Sequence, residues 1–112
     1  MSSEQPKERE LLKTVLEPLL EDFQYWFART CSLLESEQMS FLTVQQQAQL
    51  LTRIRQSQQE VTAAQMLFKA TDGKAGIDPK MLLPWHQLVA ECWQMAQKWR
   101  ATNQGNNSSS KS

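Results

Sequence analysis

The stretch from Leu11 to Leu34, LLKTVLEPLLEDFQYWFARTCSLL, decides the fold. Along it Leu12, Val15, Leu16, Leu19, Phe23, Trp26, Phe27 and Leu34 recur at helical spacing on one side, which is the pattern of an amphipathic helix. Glu10, Glu17, Glu21 and Glu35 fall on the opposite side and are expected in water. The periodicity predicts a first helix over about residues 7–35, preceded by a flexible segment, 1–6. Pro18 lies inside the pattern and removes one backbone donor, so a kink is expected there.

Working outward, Thr43 and Gln46 have the spacing of a capping box, which satisfies two orphan backbone donors where a helix starts. A second helix is predicted over about 44–71, closed by the left-handed freedom of Gly73 after Asp72. Its inner stripe is thin: Leu50, Leu51, Ile54, Val61, Ala64 and Phe68, interrupted by Gln47, Gln58 and Gln65. Those glutamines read as a solvated surface of good helix formers. Asp72 to Pro79 is dense in turn formers and reads as a loop, after which Asp78 caps a third helix with Pro79 in its first turn. That helix is predicted over about 79–100 with a bend at Pro84, and Trp85, Cys92 and Trp99 repeat every seven residues along its core face. After Ala101 no apolar residue remains, so 101–112 is expected to be a disordered tail. Short connections make neighbours antiparallel, and the predicted class is all-α: a single domain over 7–100, three long helices running up, down and up.

A chain of 112 residues suits one domain, and 40% hydrophobic residues suffice for a core. Twelve basic residues balance twelve acidic ones, without the basic excess that nucleic-acid binding demands. The longest apolar run, Met81 to Trp85, is far short of the roughly 20 residues of a membrane span, and Met1 to Pro6 carries no targeting signal. Cys31 and Cys92 do not make a disulfide framework, and a reducing, cytoplasmic setting is the default expectation.

No residue pattern points to catalysis, and the chain reads as a non-enzyme without cofactor or metal. His86, the only histidine, has Leu82, Ala90 and Trp93 as helical neighbours, none able to ligate or orient it. The two cysteines sit among apolar residues and read as inert core thiols, although a disulfide between the first and third helices stays open. Two features favour an interaction role. Residues 1–42 hold eight acids and four bases, and residues 43–112 the reverse, which reads first as attraction between helices. The aromatic residues crowd onto helices one and three, with little on helix two to cover them. Phe23, Tyr25, Trp26, Phe27 and Trp93 are therefore the candidate partner-binding residues.

The segments Glu10 to Phe27, Gln65 to Gly73 and Pro84 to Trp93 resemble a cyanobacterial family of small proteins of unknown function, some of whose members are named thylakoid-associated protein. The likeness covers about residues 9–100. It implies peripheral association with the cytoplasmic side of photosynthetic membranes and supplies no catalytic residue. The resulting expectation is a non-enzymatic adaptor or assembly factor that binds a protein partner through the aromatic strip and the acidic first helix. A homodimer through the same strip is compatible with it. The alternative expectation is a carrier or sensor that holds an apolar ligand or pigment between helices one and three, touched by His86 or a cysteine.

Overall fold

A computed structural model describes the backbone of residues 4–74 and 77–111, and the side chains of 10, 11, 13–74 and 77–102. It consists of three helices, α1 (Glu4–Ser36), α2 (Val44–Ala70) and α3 (Pro79–Lys111), with no strand among the described residues. The expected all-α, up-down-up arrangement is observed. Arg55 pairs with Glu35, Gln24 with Thr62, and Lys13 with Asp72, so α2 runs antiparallel to α1. Arg53 pairs with Glu91 and Glu60 with Trp85, so α3 turns back along α2 and lies parallel to α1.

Each helix starts and stops for identifiable reasons. The Thr43 hydroxyl accepts from the Gln46 N–H and the Gln46 side chain accepts from the Thr43 N–H, both at 3.0 Å, completing the capping box. At the far end of α2 the Gly73 N–H donates to the Phe68 carbonyl and the Asp72 N–H to that of Lys69, the paired bonds of a Schellman motif. The left-handed position that the motif requires is filled by Asp72, with φ 54°, and Gly73 follows at φ 81°. Asp tolerates this region better than most residues. Asp78 accepts from the Lys80 N–H with its side chain and caps α3 as expected. Pro18 and Pro84 both lie inside helices that continue through them; both are exposed, where the carbonyl each one frees can face water.

Two of the expected boundaries shift: α1 begins at Glu4 and not near residue 7, and α3 ends later than predicted. The backbone of α3 extends beyond Arg100, because the apolar spacing that set the expected end marks where packing stops, and Trp99 is the last side chain packed against the core. The expected tail falls largely on residues 103–112, which lie outside the described side chains, as do residues 1–9 at the other end.

The core follows a seven-residue repeat on every helix. From α1 come Leu16, Leu20, Phe23, Phe27, Cys31 and Leu34; from α3, Trp85, Leu88, Cys92 and Met95. From α2 only one residue per repeat is buried, Gln47, Ile54, Val61 and Phe68. The thin stripe of α2 is completed by polar contacts. Gln47 was expected on a solvated face; it is instead buried, donates to the carbonyls of Leu34 (2.8 Å) and Glu37 (2.7 Å), and accepts from the Met39 N–H at 2.8 Å. One amide thus closes the C-terminal end of α1 and anchors the link to α2. Further along, the Gln24 amide is within hydrogen-bond distance of the Gln58 carbonyl, Thr62 hydroxyl and Gln65 side chain.

Gln47→Ala should therefore destabilise the fold by about 2–3 kcal/mol, since it leaves buried backbone groups without partners. Urea denaturation measures this, and a change below about 0.5 kcal/mol would contradict the role assigned to that amide.

Candidate functional site

The register of α3 on α1 decides which side chains stay at the surface. Phe23 packs edge-on against Trp85 at 6.3 Å between ring centres and against Phe27 at 6.4 Å. Trp85 also donates through Nε1 to Glu60 of α2 at 3.1 Å. Thr30 lies at Cys92, the same displacement along the chain as Phe23 to Trp85. Extrapolated along both helices, that displacement brings the first residue of α3 level with Glu17. The part of α1 before Glu17 therefore has no α3 alongside it.

This register divides the five candidate residues. Phe23 and Phe27 are buried in the core and present nothing to a partner: their positions face both other helices where all three overlap. Tyr25 (54% exposed) and Trp93 (48%) stand at the surface, and Trp26 is half-buried. Val15, placed on the core stripe by periodicity, is exposed because it precedes the level at which α3 begins, whereas Leu11 is exposed on the same outer face as Arg29, five turns further on. The sequence shows which face of a helix is apolar but not how far its neighbour reaches.

Tyr25 and Trp26 pack edge to face at 5.5 Å between ring centres. Arg29, one turn on, donates from Nη1 to the Tyr25 hydroxyl at 2.8 Å and lies 5.9 Å from the centre of the Trp26 ring. Of these, Trp26 and Arg29 border a groove of about 280 Å³ between α1 and α3, walled by Trp26, Leu33, Ala96 and Trp99 and edged by Arg29 and Arg100. Trp93 shares a face of α3 with Ala96 and Arg100 through its three- and seven-residue spacing. A second groove, of about 420 Å³, lies between α2 and α3 against Ala63, Ala64, Leu67, Ile77 and Met81, edged by Glu60 and Asp78.

Arg53 grips Glu91 through two bonds of 2.8 and 3.0 Å, and Arg55 pairs with Glu35. Of the ion pairs among the described residues, only Arg55–Glu35 joins an acid of the first helix to a later base; Lys13–Asp72 runs the other way. The charge division between the halves is therefore only partly spent inside the fold. Arg29 and Arg100, at the edge of the α1/α3 groove, have no carboxylate partner among the described residues.

His86 is exposed and does not line the α1/α3 groove, nor does either cysteine. Cys31 and Cys92 are buried free thiols. Burial pushes the Cys92 thiol up to about 11, against a smaller opposing effect of its hydrogen bond with Thr30, and burial also raises Cys31. Such thiols are poor nucleophiles near neutral pH. Among the described residues no group of three or more His, Cys, Asp or Glu side chains could hold a metal ion, and no helix is long and apolar enough to cross a membrane.

Two outcomes follow. Phe27→Ala should cost about 3–5 kcal/mol of stability and Tyr25→Ala less than about 1, measured by denaturant unfolding; equal costs would contradict the division between core and surface. Because the folded state holds the Cys92 thiol neutral, that contribution is complete below the ordinary thiol range and is lost as pH rises. Stability should fall by about 2–3 kcal/mol between about pH 9 and 11. Cys92→Ala should remove that component of the alkaline slope, and an unchanged slope would contradict it.

A family model described as a protein of unknown function, DUF2605, matches residues 6–101. Neither the curated proteins nor the solved structures contain a match to the chain.

Proposed function

For a chain that belongs to the DUF2605 family of proteins of unknown function, we propose the role of a non-enzymatic adaptor or assembly factor that binds a protein partner at the cytoplasmic side of thylakoid membranes. The binding face is the flank of α1 and α3 that carries Tyr25, Trp26 and Trp93, together with the acidic exposed side of α1.

The observation that carries this reading is the exposure of Tyr25 and Trp93 beside a groove whose two arginines lack acid partners. Large aromatic side chains beside cations are the residue types that dominate binding energy at protein interfaces. Tyr25 is held in place by Arg29, so its ring would be offered to a partner at a low ordering cost. The membrane address rests on the resemblance to thylakoid-associated proteins and on nothing in the geometry. A peripheral protein of this kind would reach the membrane through its partner.

The test is fractionation of a tagged copy in a thylakoid-bearing host, with membranes washed at rising salt and co-purifying proteins identified by mass spectrometry. The expected result is recovery on membranes with one stoichiometric partner, weakened by salt and lost in the Tyr25→Ala/Trp93→Ala variant at unchanged helicity. Recovery as a free soluble protein removes the membrane address. Collapse of the double variant's fold removes the surface role of the two residues.

A further inference from the structure

The α1/α3 groove has a tryptophan and an arginine at each end: Trp26 and Arg29 from α1, Trp99 and Arg100 from α3, with Leu33 and Ala96 between them. The tryptophans are half-buried and the arginines exposed. Continued along the helices, the displacement that sets Phe23 against Trp85 brings Arg100 level with Gln38. The two arginines therefore stand about 13 Å apart along the helix axis.

Their charge is uncompensated because the acids nearby are engaged elsewhere. Glu35 is drawn to α2 by Arg55, and Glu91, the single acid of α3, by Arg53. No acidic residue follows Glu91 in the sequence, and neither Asp22 nor Glu37 lines the groove. Arg29 donates from Nη1 to the Tyr25 hydroxyl and rests against the Trp26 ring, so its guanidinium is already ordered while its other donors have no partner among the described residues.

We infer that this groove receives an acidic amphipathic helix of a protein partner, with an apolar anchor lying on Leu33 and Ala96 between the tryptophans and a carboxylate on each arginine. Size, backbone and charge select that occupant. The volume of about 280 Å³ falls just short of the roughly 300–1,000 Å³ of small-molecule sites and suits one or two inserted side chains. Both walls are helices, whose peptide groups are spent on their own hydrogen bonds. An extended segment would find no backbone partners there, whereas a helix brings its own. The arginine forks match carboxylates and repel a basic segment. The α2/α3 groove makes no such offer, since its edge carboxylates already accept, Glu60 from the Trp85 indole and Asp78 from the Lys80 N–H.

The inference rests on the reading of this flank as a protein-binding face and states the chemistry of what it binds. The test is selection of a displayed library of helical peptides on the full chain, followed by fluorescence anisotropy with the best peptide, labelled. The expected winners carry large apolar residues at spacings of three and four and acids about two to three turns apart. Arg29→Glu and Arg100→Glu should each weaken the labelled peptide by about tenfold or more at unchanged helicity. Repeating the selection on the double variant should return lysine or arginine in place of the acids. Failure to enrich any helix, winners without acids, or an affinity that neither charge reversal changes overturns the proposal. So does displacement of the peptide by decanoate at equal concentration, which makes the groove a site for small apolar anions, or binding to vesicles of anionic lipid that the peptide does not inhibit. If the selection fails while a thylakoid partner is still captured through Tyr25 and Trp93, the acidic helix is excluded and the adaptor reading stands. If the selection succeeds and no membrane partner is recovered, the groove assignment stands and the thylakoid address is excluded.

Discussion

The contact of Phe23 with Trp85 sets the geometry on which the rest of this molecule depends. Trp85 packs edge to face against Phe23 of α1 and reaches α2 with its indole N–H, so a single side chain ties three helices at one level. Burying both rings is worth several kcal/mol, which makes a slip of α3 by one turn expensive. The level at which this contact forms leaves α3 displaced toward the C-terminal end of α1. The 67 Å length of the molecule, against a width of 28 Å, reflects that stagger. It also leaves Val15 without α3 beside it, while further along, where the two helices do run together, Trp26 and Trp99 line a groove between two arginines. Surface and core are thus consequences of one register.

The role of α2 is different in kind. It supplies one buried residue per seven and would hold α1 weakly by apolar contact alone. Polar side chains make up the deficit at both ends: Gln47 at the link, and the Lys13–Asp72 pair at the Schellman turn, where a Cβ on Gly73 would come within 2.7 Å of the Lys13 side chain. Buried amides of this sort contribute more to specificity than to net stability, because each must be fully bonded to avoid a penalty. They hold α2 in one register along α1.

Much of this was legible in the sequence. The capping box at Thr43, the Asp78-Pro79 start of α3 and the heptad of Trp85 and Cys92 are local signals, and local signals survive folding. The failures have a common cause. Phe23, Trp26 and Phe27 share the apolar spacing that Tyr25 lacks, and periodicity alone could not say which of the three another helix would cover fully; Phe23 and Phe27 are buried and Trp26 is half-buried. Val15 obeys the core spacing yet is exposed, because helix overlap is a tertiary quantity that no window of sequence encodes. Polarity alone assigns Gln47 to the surface, whereas its position in the repeat, seven before Ile54, places it inside.

In the function proposed above, the working part of the molecule is the surface that packing leaves open. The core thiols are shielded, His86 stands apart from the grooves, and what remains in reach is an aromatic and charged flank along α1. The most direct test of the central claim is amide hydrogen exchange along α1. The account predicts slow exchange for residues 20–34, where α1 packs on both sides, and faster exchange for residues 10–16, which have no α3 beside them. Uniformly slow exchange along the whole helix would show that the first half of α1 is already covered and would contradict it.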